Sequence, residues 1–149
     1  SFPGVEHRIE FVRELDGVKY YNDSIASSPS RTIAGLHSFH QKVILIAGGY
    51  DKHIPFDILG PEVCAHVKTL VLCGATASKI RAAVEAAPDY KAGKPEILEA
   101  HNLAEAVRMV RNAAQPGDIV TLSPACAAFD QFKNFAVRGN SYKQLVNAL

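Results

Sequence analysis

The strongest constraint on the fold is a set of short, uninterrupted apolar runs separated by helix-length segments. Val43 to Ala47, Thr69 to Cys73 and Asp118 to Leu122 carry one charge between them, that of Asp118. A strand with one face in water alternates polar and apolar residues; a strand covered on both faces need not. The spacing predicts helices between these runs, the first from Pro61 to His66 after a turn at Phe56 to Leu59. A second runs from Thr76 to Ala87, ended by Pro88, and a third from Asn102 to Ala114, closed by Gln115-Pro116-Gly117. Asn102 and Glu105 have the spacing of a capping box. Pro95 to Leu98 reads as a further short strand.

The amino-terminal part follows a different rule. Ile9 to Leu15 and Val18 to Tyr21 flank Asp16-Gly17, the two-residue signal of a β-hairpin. A polar loop from Asn22 to Ser28 then leads into a helix, with Ser28 as the cap and Pro29 in the first position. Ile33, Leu36 and Phe39 supply its apolar face. Helices near Asp130 to Arg138 and Ser141 to Leu149 complete the chain. The expected fold is α/β, a mostly parallel, Rossmann-like doubly wound sheet of about six strands with one antiparallel edge strand from the hairpin. A single domain over residues 1–149 is large enough to bury roughly 70% of its unfolded surface.

Sixteen basic against fifteen acidic residues leave a net charge of +1, which offers nothing to nucleic acid or an anionic membrane. No apolar run approaches the ~20 residues of a membrane helix. No charged-then-apolar leader opens the chain, so a cytoplasmic location is expected, and a start at Ser1-Phe2 without Met reads as a piece of a longer protein. Cys64, Cys73 and Cys126 fit free buried thiols in a reducing compartment. His37 and His40 share helical spacing, but without a third ligand they fit a surface helix better than a metal site.

Sheets of this type bind ligands outside the carboxyl ends of their strands. Three unusual loops fall there: Asn22 to Ser28, Gly48 to Lys52 and Ser123 to Phe129. The last is uncharged and small-residued, then turns polar and aromatic through Asp130 to Phe135, a composition suited to close approach of a ligand. Neither G-x-G-x-x-G nor G-x-x-x-x-G-K-S/T is present, and Gly48-Gly49 alone fits a tight turn equally well. Lys52 can pair with a carboxylate or phosphate, or stand solvated. Asp23 can hold a ribose hydroxyl or a metal-bound phosphate, or close a turn. His7-Arg8 can reach a ligand from the domain edge, although a surface role is the default near a chain end. Cys126 is the one candidate nucleophile and lacks a partner in the sequence. The residues alone imply an α/β domain with a polar cleft for a small anionic ligand.

Ser123-Pro-Ala-Cys-Ala-Ala-Phe-Asp-Gln-Phe-Lys-Asn-Phe135 followed by Arg138-Gly139 is close to the pattern SPACASxDxFKNFxxRG. Asn22-Asp23-Ser24-x-Ala26 with Pro29 matches part of NDSKATNP, and Gly48-Gly49-x-x-Lys52 and His7-Arg8 also match. On these motifs nearly the whole chain resembles the C-terminal domain of the Mur ligase family, in its D-glutamate-adding branch. Other Mur ligases and folylpolyglutamate synthase share the architecture with less similar motifs. The resemblance implies a monomeric, ATP-dependent amide-bond-forming ligase of peptidoglycan synthesis, with D-glutamate, ATP and UDP-MurNAc-L-alanine as partners. ATP and Mg2+ would be held mainly by a central ATPase domain, which with a UDP-binding domain lies outside this chain. The domain alone would therefore be inactive, with no catalytic residue or metal ligand assigned to it.

By the same resemblance Lys52 would pair with the α-carboxylate of the amino acid, with Ser27 near a substrate carboxylate. Ala128, Phe129 and the Phe135 backbone N–H would line its side-chain carboxylate, and His7, Arg8 and Asp23 would lie near the nucleotide. Three residues depart from the family pattern: Ile25 replaces a Lys, Ser28 an Asn, and Ala128 a carboxylate-holding Ser. A hydrogen bond to a charged group is worth roughly 1.5–3 kcal/mol. Backbone amides at the head of the helix expected at Asp130 are expected to replace the missing hydroxyl. The alternatives are another Mur-type or folylpolyglutamate ligase domain, or a non-catalytic ligand-binding module of the same fold, because fold does not dictate function.

Overall fold

Residues 5–129 and 131–149 are described by the structure, a computed structural model. The hairpin forms as expected from β1 (Glu10–Leu15) and β2 (Val18–Asn22), joined through Asp16 and Gly17, both at positive φ (53° and 79°). The remaining elements are α1 (Pro29–Leu36), β3 (Val43–Ala47), α2 (Leu59–His66), β4 (Val67–Leu72) and α3 (Ala77–Glu85). They continue with β5 (Glu96–Glu99), α4 (Leu103–Ala113), β6 (Ile119–Leu122) and α5 (Phe135–Asn147). The sheet order is β1-β2-β6-β3-β4-β5, antiparallel between β1 and β2 and parallel elsewhere.

Within β3 the side chains divide between two cores. Ile44 and Ile46 join Leu103, Val107 and Val110 of α4 and Tyr142 and Val146 of α5 on one face. Val43, Leu45 and Ala47 join Leu36 of α1, Leu59 and Val63 of α2, and Ile80 and Val84 of α3 on the other. Both faces of this strand are therefore dry, which is why its sequence shows no alternation. After β3 the chain turns towards β4, whereas after β6 it turns back to α5, which packs on β1 and β2. Adjacent parallel strands whose exits diverge in this way open a crevice at their carboxyl ends. Among the described residues no helix is long and apolar enough to cross a membrane.

Several local expectations are corrected. One continuous α5 replaces the two expected carboxyl-terminal helices, and the expected start at Asp130 lies outside the described residues. The helix runs through Gly139, at a cost of about 1 kcal/mol relative to Ala, because burial of Tyr142 and Val146 holds the second half against the sheet. Its cap is Asn134, whose side chain accepts from the Val137 N–H at 2.9 Å. Ser28 occupies the N-cap position of α1, but its hydroxyl meets Ser30 Oγ at 3.4 Å and makes no capping bond. Asn102 does cap α4, accepting from the Glu105 N–H at 2.8 Å. α1 ends at Leu36, so His37 and His40 are not a helical pair.

Candidate functional site

The three loops expected at the ligand edge are bonded to one another. Ala125 N–H donates to the Ala26 carbonyl at 2.9 Å, which joins the first loop to the third. Gly48 N–H donates to Pro124 O at 2.9 Å and Tyr50 N–H to Ala127 O at 3.0 Å, which joins the second to the third. Gly48 lies at φ 110°, and a Cβ there would stand 2.0 Å from the Cys73 carbonyl oxygen. Its glycine is required by close backbone approach.

Arg138 fastens this junction from α5. It is only 4% exposed. Its Nε donates to Ser24 Oγ at 2.9 Å, Nη2 to Ser24 O at 2.7 Å and to Ser27 Oγ at 3.4 Å, and Nη1 to Cys126 O at 2.9 Å. No carboxylate among the described residues pairs with it; burial pulls its pKa down to about 10, so it keeps its charge at neutral pH. Planar donors in a fixed fork suit a hub that must reach several carbonyls and hydroxyls. Sequence reasoning saw Arg138 only as part of a motif. A basic residue on the inward face of the last helix was the available signal.

His7 and Asp23 are buried, each 4% exposed, and the surface role expected for His7 by default is overturned. Its Nδ1 lies 2.9 Å from Asn22 Nδ2, and its ring stands edge-on to Phe135 with centroids 5.8 Å apart. A Cβ on Gly139 would fall 2.2 Å from His7 Nδ1, so α5 and this histidine fit only with glycine between them. Asp23 uses both carboxylate oxygens within the fold: Oδ1 accepts from Ile9 N–H at 3.1 Å and Oδ2 from Ser123 Oγ at 2.8 Å. Burial raises its pKa to about 6, against the lowering influence of these hydrogen bonds and of Arg8 and Arg31. Asp23 thus holds the His7-Arg8-Ile9 segment in place, with Arg8 itself exposed.

The other expected residues stand around this junction. Lys52 is exposed, and among the described residues no ion pair holds it; its neighbour Asp51 pairs with Lys79 of α3. Ser27 is half-buried beside Arg138. Ala128 is buried and offers no side-chain donor, while Phe129 is 54% exposed and edge-on to Tyr50 at 5.6 Å. Phe135 is the first residue of α5, and its carbonyl accepts from Ser24 Oγ at 2.8 Å. Its N–H belongs to the helix terminus, where the dipole favours an anion. A cleft of about 400 Å³ lies beside this rim, bounded by Gly49, Tyr50, Gly74, His101, Phe129 and Gln131. His101 and Gln131 were not singled out from sequence. Cys126 is buried against Thr76 Oγ1 at 3.2 Å, and burial raises its thiol pKa, so it packs rather than attacks.

A family model described as Mur ligase, glutamate ligase domain, matches residues 7–126. The UDP-N-acetylmuramoylalanine--D-glutamate ligase of Clostridium botulinum (strain Hall) is 56% identical over 149 residues, all of this chain and 32% of that protein. The enzyme of the same name from Clostridium kluyveri (strain ATCC 8527) is 60% identical over 147 residues, 99% of this chain and 32% of that protein. The chain thus spans about a third of the length of these curated relatives. Among solved structures, a murein peptide ligase from Psychrobacter arcticus superposes with a TM-score of 0.65 at 13% identity, covering 100% of this chain and 32% of that one. Folylpolyglutamate synthase from Thermotoga maritima does so with a TM-score of 0.59 at 12% identity, covering 97% and 31% respectively. At those identities the likeness speaks for the fold alone. The three bonded loops and the matched residues lead to one assignment: the chain belongs to the Mur ligase family, through its glutamate ligase domain.

Proposed function

We propose that this chain is the C-terminal domain of a cytoplasmic, monomeric, ATP-dependent ligase that joins D-glutamate to UDP-MurNAc-L-alanine in peptidoglycan synthesis. The observation that carries this is the junction of the three motif loops around Arg138, which leaves Lys52 and the head of α5 on the open side. In the proposed reaction the alanyl carboxylate is phosphorylated by ATP, the D-glutamate amine attacks the acyl phosphate, and phosphate leaves. The reacting groups are anions, so positioning and charge neutralisation are the main tasks of the protein. Lys52 neutralises the α-carboxylate of D-glutamate, and the Ser27 hydroxyl lies near a substrate carboxylate. The Phe135 N–H and the backbone around Ala128 and Phe129 receive the side-chain carboxylate. Arg8, placed through Asp23, faces the nucleotide, with His7 fixing the same segment from beneath.

Mg2+ would neutralise phosphate charge. Asp23 is buried and already accepts from Ile9 N–H and Ser123 Oγ within the fold, which suits a structural carboxylate better than a metal ligand. In this reading the metal and most of the ATP contacts belong to a central domain outside this chain, and the isolated domain is expected to be inactive. In the full-length ligase, Lys52→Ala is expected to lower kcat/KM for D-glutamate on the order of 30-fold, or about 2 kcal/mol. Phosphate release with UDP-MurNAc-L-alanine and a panel of amino acids measures this. An unchanged value removes Lys52 from the site, and preference for another amino acid overturns the substrate.

A further inference from the structure

At the edge of the sheet opposite the three loops, two helix ends bring ligand-type side chains together. His37 is the C-cap of α1, held by its backbone N–H on Ile33 O at 3.1 Å. His66 is the last residue of α2, immediately before β4, and Glu62 lies one turn earlier on the same face. His37 Nε2 stands 2.8 Å and His66 Nε2 3.3 Å from the same Glu62 Oε2, with the imidazole centroids 4.8 Å apart. One donor atom from each residue lies within 4.8 Å of the other two. The side chains are 54%, 32% and 31% exposed for His37, His66 and Glu62, so the cluster is open to an incoming ion.

Both imidazoles already face one carboxylate oxygen, so three ligand-type atoms converge on one point. A divalent cation converts this cluster into three donors sharing one Lewis acid. Zinc-class ions bind imidazole nitrogen and carboxylate oxygen at about 2.0–2.2 Å, which sets tetrahedral donors about 3.3 Å apart. The observed separations of 2.8 and 3.3 Å from Glu62 lie within about 0.5 Å of this, and the imidazole nitrogens, within 4.8 Å of each other, would close on the ion by side-chain rotation. Imidazole ligands suit zinc, nickel and copper rather than magnesium or calcium. We propose that His37, Glu62 and His66 form a binding site for a divalent transition-metal ion of the zinc class, which clamps the carboxyl end of α1 to α2 and leaves one position to water.

Calorimetric titration of the protein with Zn2+, after removal of metal by a chelator, tests the site. One equivalent is expected to bind with a dissociation constant near or below about 10 μM. His37→Ala, His66→Ala and Glu62→Gln are each expected to weaken it at least about 10-fold, with circular dichroism unchanged because none of the three is buried in the core. His53→Ala, on the opposite edge, is expected to leave the affinity as it is. Absence of binding tighter than about 1 mM overturns the proposal. So does an affinity that survives both histidine substitutions, which would place the ion elsewhere.

Discussion

The loops around Arg138 and the rim formed by Lys52, Phe129 and Phe135 lie on the same edge of the sheet but are built differently. Ser24, Cys126 and Asp23 are buried, and their polar atoms are engaged by Arg138, Ile9 and Ser123. Lys52, Phe129 and Phe135 are exposed and take few bonds from the rest of the fold. A buried charge is tolerated only when its donors are satisfied, so the hub is fixed by internal demand. An exposed side chain is free to meet a ligand without first breaking an internal bond. One region fixes the loops, and the other stays open on their surface.

Removing the hub is the strongest way to break this contrast. Arg138→Ala strands the Ser24 and Cys126 carbonyls in dry surroundings, where an unsatisfied group costs ~1–3 kcal/mol each. A loss of about 4 kcal/mol in urea unfolding is expected, and Arg138→Lys should recover less than half of it, since a point donor cannot span both loops. A loss below about 1 kcal/mol would show the loops to be self-supporting.

Asp23 comes next. Its native pKa of about 6 lies above the ordinary aspartate value of 3.8, so the native state keeps the proton to higher pH than the unfolded chain does. The linked stabilisation is complete below about pH 3.8 and is lost as pH rises through about 6, by up to roughly 3 kcal/mol. Across this window the protein should lose up to roughly 3 kcal/mol relative to Asp23→Asn, which does not titrate, so their unfolding profiles separate as pH rises; parallel profiles refute the buried carboxyl.

The rim should respond in the opposite sense. Lys52→Ala is expected to change unfolding free energy by less than about 0.5 kcal/mol while producing the activity loss given above. Ala128→Ser is the smallest perturbation. If backbone amides at the head of α5 already hold the carboxylate, the KM for D-glutamate should move less than about 3-fold, whereas a fall in KM of about 10-fold would mean the missing hydroxyl is not replaced.

Much of the architecture is local chemistry and could be read directly. The dry strands, the Asp16-Gly17 turn and the Asn102 cap depend on residues within a few positions of one another. The motif loops were legible as loops, and their place at the carboxyl ends followed from each one leaving the end of an expected strand. What the loops bond to was not legible. Arg138 reaches Ser24 across 114 positions, Ser123 reaches Asp23 across 100, and Glu62 meets His37 across 25. His7 near the chain start became buried because Gly139 leaves it space, and Gly139 lies inside a helix that local propensity would have broken. Pattern and turn chemistry specify elements because their energetics are short-ranged. Burial of a charge, a buried histidine or a ligand cluster exists only once distant segments exclude water together, and the tertiary structure alone decides where that happens.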